Sequence, residues 1–171
     1  GRLKPAPRRL CQRALALAVV GLLPLWADPE PEPEGPITRE GKYWVQTVDG
    51  TLPAAPGGRL KVDSAGGIVV RGDEVNEVRY TAKKRVRVDS EAEAKRLLGR
   101  ARFRATREGS TATPVVDDPG CGRCEFSADM KVSAPRVTLE TMLSTRGGAV
   151  EAYDLDGRVT AATAGGAIQM D

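Results

Sequence analysis

The 171-residue chain contains no histidine. That excludes nucleophile activation of the Ser-His or Cys-His kind and any zinc site built on imidazole. Aromatic residues make up only 4% of the sequence, too few to interleave with basic residues as a base-stacking platform, so nucleic acid is disfavoured as a partner. Cysteine is scarce as well. Of the three in the chain, Cys11 stands far from Cys121 and Cys124, and a zinc site wanting about four ligands would need carboxylates or another chain. No apolar run approaches the roughly 20 residues of a membrane-spanning helix. Nucleophile-elbow and phosphate-loop motifs are missing too, and no catalytic residue is assigned.

The N-terminus reads as an export signal over residues 1–27. Arg8, Arg9 and Arg13 form a basic region, Ala14 to Leu25 is an apolar run broken by Gly21 and Pro24, and Leu25-Trp26-Ala27 offers small-residue cleavage before Asp28. Arg8-Arg9 raises twin-arginine export but lacks the fuller motif, so the general route is expected. Cys11 precedes the apolar run with no lipobox before it, and is discarded with the signal. The mature chain then has no transmembrane span and belongs in the periplasm, at the cell surface or outside the cell. The charge changes sign with cleavage. The whole chain has 26 basic and 23 acidic residues; five basic groups (Arg2, Lys4, Arg8, Arg9, Arg13) and no acid lie in 1–27, leaving 21 against 23, a balance of −2. The basic pI is therefore no argument for nucleic acid.

Residues 28–41 are a linker: Pro29-Glu30-Pro31-Glu32-Pro33-Glu34-Gly35-Pro36 predicts a stiff, extended spacer. Residues 42–171 are expected to form one domain. Its runs are of β type, bounded by Gly, Pro, Asp or Asn: Tyr43 to Val48 ending at Asp49-Gly50, Arg59 to Ser64, Gly67 to Arg71, and Val75 to Val88. One helix interrupts them. Ser90-Glu91-Ala92-Glu93 fits a capping box, and Ala94, Leu97, Leu98 and Ala101 make one apolar stripe ending near Gly99 to Arg102. Strands resume at Phe103 and Ala105, turn at Glu108-Gly109-Ser110, and continue from Thr111 to Val116.

The C-terminal part repeats itself. Thr145-Arg146-Gly147-Gly148-Ala149-Val150-Glu151-Ala152 returns 18 residues later as Thr163-Ala164-Gly165-Gly166-Ala167-Ile168-Gln169-Met170, and the offset also pairs Val137 with Leu155, Thr141 with Val159 and Leu143 with Ala161. A fixed period with Gly-Gly corners predicts an all-β, repetitive β-solenoid of stacked sheets with one short inserted helix. The corner glycines Gly66, Gly67, Gly147, Gly148, Gly165 and Gly166 let the backbone turn or pass closely. Two ordinary hairpins with Gly turns are the alternative. An earlier, imperfect copy matches Leu60, Val62 and Ser64 to Thr141, Leu143 and Thr145. Its apolar phase slips by one residue after Gly66-Gly67, so the first sheet is expected to be irregular or separately paired. The chain begins with Gly and stops just after a repeat unit, as a fragment lacking further coils would.

Pro56-Gly57-Gly58-Arg59-Leu60-Lys61-Val62-Asp63, the Gly-Gly-Ile-Val-Val of 66–70, the Glu-Ala-rich helix, Thr145-Arg146-Gly147-Gly148 and Leu155-Asp156-Gly157-Arg158-Val159 together resemble the bacterial "putative adhesin" domain of unknown function. That family occurs in exported and envelope-associated proteins. Over about residues 43–171 the resemblance implies a toast-rack-like β-solenoid with no established enzymatic activity, and it supplies no catalytic residues.

The remaining motifs are weighed on their chemistry. A calcium β-roll repeat needs a third Gly and an Asp where this chain has Val150 and Ala152, then Ile168 and Met170. Asp154 and Asp156 fall short of the six to eight oxygens that Ca²⁺ takes. Neither a metal nor a cofactor is expected. For Cys121-Gly122-Arg123-Cys124 a redox pair needs a helix N-terminus, whereas Asp117-Asp118-Pro119-Gly120 precedes it and β-like residues follow. A disulfide stapling a loop is the expectation for an exported chain. Glu151, Asp154 and Asp156 are the carboxylates of an alternative reading, a carbohydrate-active β-helix enzyme on acidic polysaccharide, which needs two of them facing across a substrate.

Residues 83–107 carry ten basic groups (Lys83, Lys84, Arg85, Arg87, Lys95, Arg96, Arg100, Arg102, Arg104, Arg107) against Asp89, Glu91 and Glu93. Such a patch fits an anionic envelope polymer, lipid headgroups or an acidic envelope protein; a merely solvated face is the plain alternative. The expectation for the whole is an exported, non-catalytic module with an adhesive, scaffolding or sensing role.

Overall fold

The computed structural model describes residues 34–171; the expected export signal, with Cys11, and the first part of the Pro/Glu stretch lie outside the described residues. Runs that alternate apolar and polar residues become strands, because each presents one face to a core and the other to water. In chain order they are Thr38–Glu40 (β1), Tyr43–Pro53 (β2), Arg59–Ser64 (β3), Ile68–Asp73 (β4), Glu77–Arg87 (β5), Phe103–Glu108 (β6), Thr111–Val116 (β7), Glu125–Pro135 (β8), Val137–Thr145 (β9), Val150–Tyr153 (β10), Asp156–Thr163 (β11) and Ile168–Met170 (β12), with the helix Glu91–Arg100 (α1) between β5 and β6. The body is all-β apart from α1. A seven-stranded sheet runs β1-β2-β5-β8-β4-β10-β12 and a five-stranded sheet β11-β9-β3-β7-β6; both mix parallel and antiparallel pairs, and neither closes into a barrel among the described residues.

Four segments cross from the smaller sheet to the larger: β7 to β8, β3 to β4, β9 to β10 and β11 to β12. Parallel pairing stacks them in that order. The 18-residue offset is the pairing register of the last two, with Thr141 opposite Val159, Leu143 opposite Ala161 and Thr145 opposite Thr163, then Val150 opposite Ile168 and Ala152 opposite Met170. Val137 departs from it, facing Asp156 instead of Leu155. A β-bulge between Asp156 and Arg158 shifts the ladder there, the usual means of re-aiming a strand at its end.

The imperfect early copy is neither irregular nor separately paired. Leu60, Val62 and Ser64 face Thr141, Leu143 and Thr145, and Ile68 and Val70 face Val150 and Ala152. The one-residue slip is absorbed in the corner, which is shorter here (residues 65–67) than in the next copy (146–149).

The corners share one arrangement. The Thr145 hydroxyl accepts from the Gly147 N–H at 3.1 Å and donates to the Gly66 carbonyl of the neighbouring crossing at 2.6 Å. Thr163 does the same with Gly165 N–H at 3.2 Å and the Gly148 carbonyl at 3.0 Å, and Ser64 donates to the Ala128 carbonyl. Backbone bonds continue the column: Ile68 N–H to Ala149 O at 2.9 Å, Gly148 N–H to Gly165 O at 2.7 Å and Val150 N–H to Ala167 O at 2.9 Å. Gly148 has φ 103°, and a Cβ on it would stand 2.7 Å from the Gly67 nitrogen, so only glycine fits. Added Cβ atoms at Gly66 and Gly166 would also meet backbone, at 2.5 and 2.3 Å; at Gly147 and Gly165 they would meet open space, and at Gly67 nothing nearer than 3.6 Å.

Inside the stack, Leu60, Val62, Ile68, Val70, Met130, Val132, Leu143 and Val150 form one buried cluster. Full burial stabilises by about 1.5–3 kcal/mol per large aliphatic side chain. Tyr80 and Phe103 pack with ring centroids 4.7 Å apart. Beside β5, α1 closes a second cluster of Ala94, Leu97, Leu98 and Val86, with Ile37 and Trp44 against it. Ser90 caps the helix by accepting from the Glu93 N–H at 3.2 Å, and its backbone bonds end at Ala101.

Two sequence boundaries move. The turn expected at Asp49-Gly50 is strand, because β2 stays paired with β5 through Asp49 opposite Thr81 and Gly50 opposite Tyr80. The end of the expected spacer is docked: Gly35 N–H donates to Thr47 O at 3.0 Å, Gln46 Nε2 donates to Gly35 O at 3.1 Å, and β1 pairs with β2. The ordered body thus begins upstream of residue 42.

Gly148→Ala should lower stability by about 2–4 kcal/mol through strained φ and backbone overlap, and Thr145→Val by about 1–3 kcal/mol through the unpaired Gly66 carbonyl and Gly147 N–H. Gly147→Ala should stay within about 0.5 kcal/mol. Urea unfolding of the three variants checks this; equal midpoints for the Gly148 and Gly147 variants would contradict it.

Candidate functional site

The ten basic residues of 83–107 do not share one face. Along β5 the pleat sends Val78, Tyr80, Ala82, Lys84 and Val86 inward and Arg79, Thr81, Lys83, Arg85 and Arg87 outward. Lys84, counted in the sequence with the patch, is fully buried. Its ammonium donates to Glu34 Oε1 at 2.7 Å and to the Leu98 and Ala101 carbonyls at 3.1 Å each, which uses all three of its protons. It thereby ties the N-terminal strap and the carbonyl end of α1, where a cation is favoured by the helix dipole, to the centre of β5. Burial pushes its pKa below the ordinary 10.5, against the opposing pull of the Glu34 hydrogen bond and charge.

Most of the others are paired on the surface. Lys83 meets Glu40 at 2.8 Å, Arg85 meets Asp129 at 2.6 Å, and Arg87 meets Glu125 at 3.4 Å. The Tyr43 hydroxyl also binds Glu125, and that bond, with Arg87 behind it, holds the carboxyl below its ordinary range. On α1, Lys95 and Arg96 pair with Glu91 and Glu93. Arg104, on β6 in the other sheet, pairs with Asp117 at 2.6 Å. Arg100, Arg102 and Arg107 have no carboxylate within ion-pair distance among the described residues. Exposed pairs of this kind contribute about 0–1 kcal/mol each.

Cys121 and Cys124 are joined in a disulfide, with Cα atoms 5.4 Å apart, and both lie against the helix cluster. The next element is the strand β8, so the pair does not itself open a helix. A polar cavity of about 510 Å³ opens beside them between Arg87, Arg96, Arg123 and Glu125. The carboxylates of the enzyme alternative are engaged separately. Glu151 accepts from the Tyr153 hydroxyl at 3.1 Å, Asp154 pairs with Arg136 at 3.5 Å, and Asp156 is exposed at the start of β11 in the other sheet.

A further concavity lies elsewhere, on the outer face of the seven-stranded sheet. It is a groove of about 600 Å³ over β2, β5, β8 and β4. Arg79, Ser133 and Arg71 are direct neighbours across it, as are Thr81, Lys131 and Val69. Thr81 donates to Asp49 and Ser133 to Asp73, while Arg71 lies 5.8 Å from the centroid of the Tyr153 ring. The sequence reading missed this group because its cations come from three strands, with Lys131 remote in sequence from Arg71 and Arg79. The only signal was their shared outward parity on strands whose alternate residues are apolar.

No protein-family model matches the chain, and no curated protein matches it. Among solved structures it is similar to a "putative cell adhesion protein" from Clostridium sporogenes at 12% identity and TM-score 0.43, covering 72% of this chain and 58% of that one. It is similar also to a "putative adhesin" from Parabacteroides merdae (9%, TM-score 0.39, 67% and 43% covered) and to a "putative lipid binding protein" from Parabacteroides distasonis (11%, TM-score 0.36, 73% and 60% covered). The chain spans about half the length of these proteins. Adhesin names therefore recur among its structural neighbours, at low identity and a loose structural likeness.

Replacing Lys84 by Met should cost about 1–3 kcal/mol, because the Leu98 and Ala101 carbonyls lose their donor. The pH dependence has a definite sign. With the folded-state pKa lowered, the unfolded chain holds the proton longer, so wild-type stability rises relative to the variant between the lowered pKa and 10.5. Tyr153, whose ionisation burial and Glu151 push upward, acts equally in both proteins. Denaturant titrations from neutral to alkaline pH should show the gap widening; a narrowing gap would contradict the lowering of the Lys84 pKa by burial.

Proposed function

We propose that the chain is an exported, envelope-associated module of β-solenoid, toast-rack-like build with a non-catalytic adhesive role. The observation that supports this best is the in-register stack of four crossings, whose outward side chains stand in rows along the two sheets, with the corner bonds holding neighbouring crossings together. A rigid ladder offers an extended surface to a partner, such as an anionic envelope polymer, lipid headgroups or an acidic envelope protein. The separate engagement of Glu151 and Asp154 favours binding over the paired-carboxylate chemistry of a glycosidase. Export rests on the basic region, apolar run and Leu25-Trp26-Ala27 boundary, and the disulfide suits an oxidising compartment.

Fractionation of the producing cells followed by N-terminal sequencing tests this reading. Protein in the envelope or extracellular fraction should begin at or near Asp28. An intact cytosolic chain retaining residues 1–27 would overturn it.

A further inference from the structure

The groove over β5, β8 and β4 is a different place from the 83–107 run. We propose that it binds an acidic polysaccharide, with uronate carboxylates held by Arg71, Arg79 and Lys131. Arg79 and Arg71 are both neighbours of Ser133, one on each side, so their backbones stand two strand spacings, about 10 Å, apart. Lys131 lies between them, two residues along β8 from Ser133 and about 7 Å away. The three cations form a triangle on one rigid face.

The nearby acids leave these cations available. Asp49 and Asp73, at the sides of the groove, accept hydrogen bonds from Thr81 and Ser133. Arg79 has only an exposed partner, Glu77, which is a weak pair that a ligand can replace. Arg71 and Lys131 have no carboxylate within ion-pair distance among the described residues.

The shape and lining favour a polymer of sugars. Planar guanidinium groups match carboxylates through paired N–H donors, and Val69 on the floor gives an apolar contact for the C–H face of a ring. A groove crossing several strands admits an extended chain. The inference rests on the reading of the chain as a binding module only in that the polymer is held and not cut.

Calorimetric titration of the whole exported protein with polygalacturonate tests the site, with neutral dextran and anionic phosphatidylglycerol vesicles as the other probes. Polygalacturonate should bind at about 0.01 M salt and weaken at about 0.1 M, as the Debye length falls from about 30 to about 10 Å; dextran should not bind. Arg71→Glu with Lys131→Glu should weaken binding about tenfold or more, and the Gln pair should weaken it without adding repulsion. Arg100→Glu with Arg104→Glu should stay within about twofold of wild type. Unchanged affinity in both groove variants, loss confined to the Arg100/Arg104 variant, or binding of vesicles but not of polygalacturonate would overturn the site, as would no binding at all. Shortening of the bound polymer would overturn the non-catalytic reading while supporting the groove, so the two failures are distinct.

Discussion

Hydroxyls at the ends of β3, β9 and β11, each bonded to a carbonyl of the crossing beside it, are the contacts on which the stack depends. Thr163 reaches Gly148, Thr145 reaches Gly66 and Ser64 reaches Ala128. Each hydroxyl sits where its strand ends and the backbone leaves the five-stranded sheet for the seven-stranded one. Left bare there, a buried carbonyl would cost about 1–3 kcal/mol. The same geometry brings neighbouring corners so close that Gly148 and Gly166 leave no room for a Cβ. Hydroxyl and glycine are thus two halves of one solution to turning a corner in register.

The order of the stack follows. The β3–β4 crossing, first in the chain, lies inside it, and the excursion through β5, α1 and β6 returns the chain as β7–β8 on one flank before β9–β10 is laid on the other. The antiparallel strands and α1 cover the β7–β8 end, as repeat arrays need their ends covered. Lys84 fastens that cover by binding strap and helix together from the middle of β5. Because β5 is both cap and sheet, its outward side chains enter the ladder that carries the groove.

The repeat was legible in the sequence because its corner chemistry recurs as letters: Thr-x-Gly-Gly followed by alternating apolar residues. The slip at 65–67 was visible in the pattern, but not that a corner shortened by one residue restores the register, and the bulge at Asp156 left no mark in the pattern. Residues 83–107 formed a charge run in sequence but were divided by the pleat, which buried Lys84, and by the helix, which turned the chain to the other sheet. Arg71, Arg79 and Lys131 went the opposite way, scattered in sequence and gathered by strand order. Local patterns report periodicity; neighbours across a parallel sheet depend on a topology that no local pattern encodes.

The central claim is that crossings stack in parallel, in register through the Thr-Gly corners. Proton NMR contacts around Val150 test it most directly. The account predicts cross-strand contacts from Val150 to both Ile68 and Ile168, in the evenly spaced, slanted pattern of parallel neighbours. Close Hα–Hα contacts between 137–145 and 150–153, as in an antiparallel hairpin, with none from Val150 to Ile68 or Ile168, would contradict it.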